Sequence, residues 1–339
     1  MQRSARSAFD RALELERAGD PDGALGAYLD ALDSDPNDLD IAYRAATALL
    51  RTGQLEEALS QLRRIVFVDP DHLGARANLG NCQLLLGDLE NAEANFKRVL
   101  EPAGDNHNAL FGLASVYLKR GKPAEAAAPV GRLMEILPES APVLSLYAET
   151  RARTAQTPAA IAAFRKAIAL DPSYGPAFEG LARTLVHGKR AEEAIPPART
   201  SCDLQPTHAP AFQILAEAYQ ATGDFDEATA ALEKARSLAP QAIGILIQLS
   251  AVSRKRQDPA AALVFAMDAY SLKEGDKAAA DAAGTALVAL GRKTLGRQVL
   301  RTAASGHPLD ADLLEQIRMI CRDHVANADA LPPADADTA

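Results

Sequence analysis

The residues of this chain able to do chemistry are few, and their spacing decides what they can do. Six histidines stand at His72, His107, His187, His208, His307 and His324, and three cysteines at Cys82, Cys202 and Cys321. Imidazoles and thiolates bind zinc when several recur a few residues apart. No pair here has that spacing, so no metal site is expected. Adjacent acids recur at Glu56–Glu57, Glu192–Glu193 and Asp226–Glu227. Carboxylate pairs can serve general acid–base catalysis, but these fall at the starts of helices, where negative charge favours the helix dipole. Their repetition is therefore structural. The chain carries no glycine-rich phosphate loop, nucleophile elbow or dinucleotide fingerprint. The expectation is no cofactor and no enzyme activity.

The elements that hold these residues are helices, and one stretch shows how. From Ala209 to Ala242, Phe212, Leu215, Ala216 and Tyr219 recur at helical spacing and line one face of a first helix. Gly223 and Asp224 break it: glycine accepts the left-handed conformation of a helix end, and aspartate caps a following helix. Ala228, Leu232 and Ala235 line a second helix, which Pro240 stops for want of an amide hydrogen. Neither stripe can be buried alone, so the hairpin must pack on its neighbours.

The unit repeats. Terminal prolines stand at Pro36, Pro70, Pro138, Pro172, Pro206, Pro240 and Pro308, every gap being 34 residues or twice that. Gly104 and Glu274 hold the two missing places. A small column keeps the same register at Ala24, Ala58, Ala92, Ala126, Ala160, Ala194, Ala228, Ala262 and Gly296. A second runs Ala12, Ala46, Gly80, Ala114, Ala148, Ala182, Ala216, Ser250 and Gly284. Small residues there let paired helices approach closely. Turn glycines fall at Gly19, Gly53, Gly87, Gly121, Gly223 and Gly291.

These columns resemble the tetratricopeptide repeat over roughly residues 5 to 308. The chain departs from the family in having no tryptophan; Ala42, Leu110, Leu144, Phe178, Phe212 and Leu246 stand where that residue often opens the first helix. The resemblance implies an all-α fold, a right-handed α-solenoid (superhelix) of about nine 34-residue helix-turn-helix repeats plus a C-terminal capping helix. The array is assigned to 1–308, the capping helix to 309–327 and a disordered acidic tail to 328–339.

Two second helices carry interior prolines, Pro129 and the pair Pro196–Pro197, and are expected to begin late or to kink. The eighth hairpin is the most degenerate: Arg254, Lys255 and Arg256 end its first helix, where cations suit the dipole. Asp310 or Asp312 is expected to cap the last helix.

The net charge of −9 argues against general affinity for nucleic acid, which rests on phosphate neutralisation. The acid is concentrated early: residues 1–40 hold ten acidic against four basic side chains, whereas residues 41–170 hold thirteen against fifteen. The separated cysteines read as reduced thiols. The amino-terminal stretch has no apolar run of signal-peptide length, and no segment is apolar enough to insert in a membrane. The expected location is cytoplasmic.

What remains is surface. In tetratricopeptide arrays one face of each first helix lines a concave groove where extended peptides commonly bind. The resemblance carries that role to Tyr43, Arg44, Thr47 and Arg51; to Asn78 and Asn81; to Phe111, Ser115 and Lys119; to Glu149 and Arg153; to Glu179 and Arg183; and to Gln213 and Glu217. Ala77, Leu84, Leu118 and Ser145 share those positions. Apolar anchors would dominate the amino-terminal part and opposed charges the middle. The clamp of Lys, Asn and Arg used by chaperone-tail binders has only Asn78 and Asn81 as echoes here. The asparagine ladder of glycosyltransferase-linked arrays keeps only Asn78 in its column. The implied function is a non-enzymatic scaffold or adaptor for a protein or peptide partner. Two alternatives stay open: a self-assembling homo-oligomer, and a regulatory subunit of a separately encoded enzyme such as a glycosyltransferase or a secretion or envelope-assembly machine.

Overall fold

The structure is a computed structural model that describes residues 2–329, and the expected tail falls almost wholly outside the described residues. Among these residues there are nineteen helices and no strand. They divide into two compact units, residues 1–171 and 172–339.

The first unit holds five hairpins. They are α1 (Gln2–Ala18) with α2 (Pro21–Ser34), α3 (Leu39–Arg51) with α4 (Leu55–Val68), and α5 (Leu73–Leu86) with α6 (Leu89–Leu100). The last two are α7 (His107–Lys119) with α8 (Pro123–Ile136) and α9 (Ala141–Arg153) with α10 (Thr157–Leu170). The second unit holds α11 (Gly175–His187) with α12 (Ala191–Leu204), α13 (Ala209–Thr222) with α14 (Phe225–Leu238), and α15 (Ile243–Lys255) with α16 (Pro259–Leu272). It closes with α17 (Lys277–Ala289), α18 (Lys293–Ala304) and α19 (Ala311–Asp329). Within a unit each helix up to α17 packs on the helix that follows it, and α19 packs back on α16.

The small columns explain the close pairing. Ala58, Ala92, Ala126, Ala160, Ala194, Ala228 and Ala262 are all wholly buried, as are Ala46, Ala114, Ala148, Ala182 and Ala216. Each stands where a larger side chain would push two helices apart. Bulky residues fill the spaces between: Leu62, Ile65, Phe96 and Leu133 in the first unit, Leu232, Leu249, Leu263 and Leu287 in the second.

Helix ends follow the sequence in most places. Gly223 adopts the left-handed conformation that ends α13, with φ 93°. Asp224 occupies the cap position of α14, yet its carboxylate accepts from the Thr222 hydroxyl at 2.6 Å rather than from a backbone N–H. Asp310 caps α19, accepting the N–H of Leu313 at 2.8 Å. Of the two outcomes expected for the prolines, a late start does not occur. Both α8 and α12 start on time and run through Pro129, Pro196 and Pro197. The helical N–H partners that these prolines remove are those of the Glu125, Glu192 and Glu193 carbonyls, and all three residues are exposed.

Beyond α18 the chain turns back. The Leu309 N–H donates to Tyr270 Oη at 2.8 Å, and Leu309, Leu313 and Ile317 are buried in the core of the second unit. Leu313 and Ile317 share one stripe of α19, which packs against α16, and Leu309 precedes that helix.

Candidate functional site

In the first unit the first helices of successive hairpins touch: α3 meets α5, α5 meets α7, and α7 meets α9. Their shared face holds the amino-terminal candidates. Tyr43 is half-buried; its ring lies 4.7 Å from that of His72, and its hydroxyl stands 2.8 Å from where a Cβ on Gly74 would be. His72 in turn caps α5, its Nδ1 accepting the Ala75 N–H at 3.1 Å. Tyr43 therefore roofs the start of the next repeat and presents part of its ring. The Thr47 hydroxyl donates to the Tyr43 carbonyl at 2.8 Å and accepts from the Asn78 amide at 3.2 Å, tying α3 to α5. Asn81, Phe111, Ser115 and Glu149 are half-buried, and Arg44 is exposed. Ala77, Leu118 and Ser145, expected on this face, are buried, because they meet the neighbouring helix instead of solvent.

The basic candidates are largely occupied in joining repeats. Arg51 pairs with Glu16 at 2.6 Å, and Glu16 also accepts from the Tyr28 hydroxyl at 2.9 Å. Lys119 donates to the Leu84 carbonyl at 3.4 Å, and Arg153 to the Leu118 carbonyl at 2.7 Å and to Glu149. Leu84 and Leu118 lie near the C-terminal ends of α5 and α7; their carbonyls accept the N–H groups of Gly87 and Gly121, and a cation from the next repeat adds a second donor to each. The sequence carried a signal for this: Arg51, Lys119 and Arg153 fall in one 34-residue column at the ends of first helices.

In the second unit α11 meets α13 and α15 meets α17. Glu179 of α11 takes a hydrogen bond from Arg183 and lies 3.2 Å from His208 Nε2. One hydrogen-bonded run joins α13 to α15: Gln213 Nε2 donates to Gln248 Oε1 at 2.9 Å, and Gln248 Nε2 donates to Glu217 at 3.2 Å. Arg183, Gln213 and Glu217 line a cleft of about 240 Å³ together with His187, Pro210 and Ile214. Three candidates from two successive hairpins thus converge. Gln248 was missed in the sequence, although it continues the column of Arg44 and Asn78 by the 34-residue step.

Among the described residues no three His, Cys, Asp or Glu side chains are grouped to hold a metal. Burial pushes the Cys202 thiol up to about 12 and that of Cys321 up to about 11, and it raises Cys82 as well. These thiols stay protonated at neutral pH, and a thiol is a poor nucleophile. Among the described residues no helix is long and apolar enough to cross a membrane.

Stacked helical hairpins offering a face of amides and paired charges define an α-solenoid scaffold. Family models described as tetratricopeptide repeat match residues 9–66, 43–107 and 148–209, residues 83–150, and residues 209–241, and together they run from 9 to 241 without a gap. The chain belongs to the tetratricopeptide repeat family, whose arrays act as protein–protein interaction scaffolds. Among curated protein sequences none matches. Solved structures share the fold. A tetratricopeptide repeat protein from Parabacteroides merdae aligns over 74% of this chain and 99% of its own, with 16% identity and a TM-score of 0.61. A chain of the anaphase-promoting-complex hetero-tetramer Cut9–Hcn1 aligns over 78% of this chain and 52% of its own, with 16% identity and a TM-score of 0.64.

Proposed function

We propose that this protein is an adaptor that holds an extended peptide segment of a partner on the face shared by its first helices. The observation that carries this reading is the cleft in residues 172–339, where Arg183, Gln213 and Glu217 come together. An extended peptide presents N–H and C=O groups at regular intervals. The Gln213 Oε1, unused in the bonds to Gln248 and Glu217, is an acceptor for one of them, and the Arg183 guanidinium is a donor. Opposed charges in one cleft set register more than affinity. In the first unit the half-exposed rings of Tyr43 and Phe111 serve as apolar anchors. That the Cut9–Hcn1 relative is itself solved in a hetero-tetramer agrees with a scaffolding role. Separated, protonated thiols fit a reducing compartment, and the reading places the protein in the cytoplasm.

The test is affinity capture from cell extract, read by mass spectrometry, with the full chain and with a triple variant, Arg183→Ala, Gln213→Ala and Glu217→Ala. Both must first show the same helicity. A partner held by the full chain and lost by the variant is the expected result. A partner held equally by both would move the interaction elsewhere.

A further inference from the structure

A second concavity lies at the far end of the second unit, away from the cleft of Arg183. It measures about 770 Å³ and opens between the start of α18 and the outer side of α19. Besides Gly291, Thr294 and Gln316, its lining holds two kinds of residue. Arg292, Lys293 and Arg322 are cationic; Leu295, Met319 and Ile320 are apolar, with Met319 51% exposed. Among the described residues no carboxylate lines it. Among the described residues neither Arg292 nor Lys293 meets an acid, and Arg322 has only a loose contact with Glu315 at 3.8 Å. The surrounding sequence is as one-sided. Residues 291–307 hold Arg292, Lys293, Arg297 and Arg301 and no Asp or Glu, in a chain whose net charge is −9.

We infer that this cleft is a docking site for an acidic peptide segment carrying an aliphatic side chain. Two features select that occupant. The uncompensated cations favour a ligand rich in Asp and Glu, because opposite charge speeds encounter and disfavours basic competitors. The apolar floor selects a peptide over a phosphate backbone: Leu295, Met319 and Ile320 would stay wet under a polyanion, whereas a leucine side chain covers them. The site is independent of the face of Gln213 and Glu217, and stands or falls without it.

The test is fluorescence anisotropy of the full chain with a fluorescein-labelled peptide of aspartate and glutamate around two leucines, at low and at physiological salt. Arg292→Glu with Lys293→Glu is expected to weaken binding at least tenfold, and Arg322→Glu separately by several-fold. All three side chains are exposed, and unchanged circular dichroism checks the fold. Replacing the peptide's leucines by serine is expected to weaken binding several-fold. The proposal is overturned if the charge-reversed protein binds within twofold of the original, or if a lysine version of the peptide binds equally well. Displacement of the peptide by a single-stranded oligonucleotide of equal charge at equal concentration would also overturn it, in favour of a nucleic-acid surface. A chain ended after residue 329 that binds tenfold tighter would make the protein's own acidic tail the occupant and overturn it too.

Discussion

The ring of Phe96 fills the place where a Cβ on Gly112 would stand. The same ring lies against Gly80, 2.8 Å from the position of its absent Cβ, so one wholly buried phenylalanine of α6 is seated between two glycines of α5 and α7. Gly112→Ala must displace the ring or spread the helices. Overpacking of this kind costs about 1–3 kcal/mol. Urea unfolding followed by circular dichroism is expected to show that loss. With Phe96→Leu already in place the same alanine is expected to cost less, since the atoms it strikes are gone. Equal costs in the two backgrounds would mean that the ring is not what holds Gly112.

The inter-helix turns carry a related signature. Ala155, Lys189 and Gln257 have φ of 59°, 59° and 62°, in the left-handed region where side chains are strained. Each stands in the 34-residue column that elsewhere holds Gly19, Gly53, Gly87, Gly121, Gly223 and Gly291. Replacing each by glycine removes the strain but adds freedom to the unfolded chain, so a net gain of about 0.5–1 kcal/mol apiece is expected. Urea midpoints of the three single variants check this. A loss of stability in all three would show that the turns are not strained at these residues.

Most of the fold was legible because the repeat writes the same physical demand many times. Column upon column of alanine and proline at one spacing leaves a single way to bury the stripes. What the columns could not reveal was departure from the average. Pro196 and Pro197 suggest a late start for α12, and α12 starts on time. Arg51, Lys119 and Arg153 read as surface charge, yet the first reaches Glu16 and the others reach carbonyls in the first helix of the preceding hairpin, contacts between residues 35 positions apart. The face proposed for a partner was expected as positions and not as chemistry. Tyr43 was placed on it from the register, but only the packing on His72 and Gly74 shows how much of its ring is already used.

Ser250 is the one hydroxyl in a column otherwise of alanine and glycine, and it is wholly buried with its Oγ lacking a hydrogen-bond partner. A buried, unpaired hydroxyl costs about 1–3 kcal/mol of desolvation. Ser250→Ala removes it at almost no change in volume, so the melting temperature is expected to rise. A fall would mean that the hydroxyl finds a partner in solution.

Glu93 makes part of the stability depend on acid. Its carboxylate, on α6, takes a hydrogen bond from Lys97 at 2.6 Å and another from Arg120 at the end of α7, and its side chain is 14% exposed. The hydrogen bond from Lys97 holds the carboxyl below its ordinary value of 4.5, the charges of Lys97, Arg120 and Lys122 add to it, and burial opposes. The folded group is thus the stronger acid, and the unfolded chain binds the proton more readily. Stability from this carboxylate is present above the ordinary value and is lost as pH falls through the folded one. The full chain is expected to melt higher than Glu93→Gln at pH 7, and the gap to close as pH falls below the ordinary value of 4.5. It should narrow in high salt as well, because Lys97 is half exposed and screened. A gap that stays constant from pH 7 to 3 would assign the effect of the substitution to packing rather than to charge.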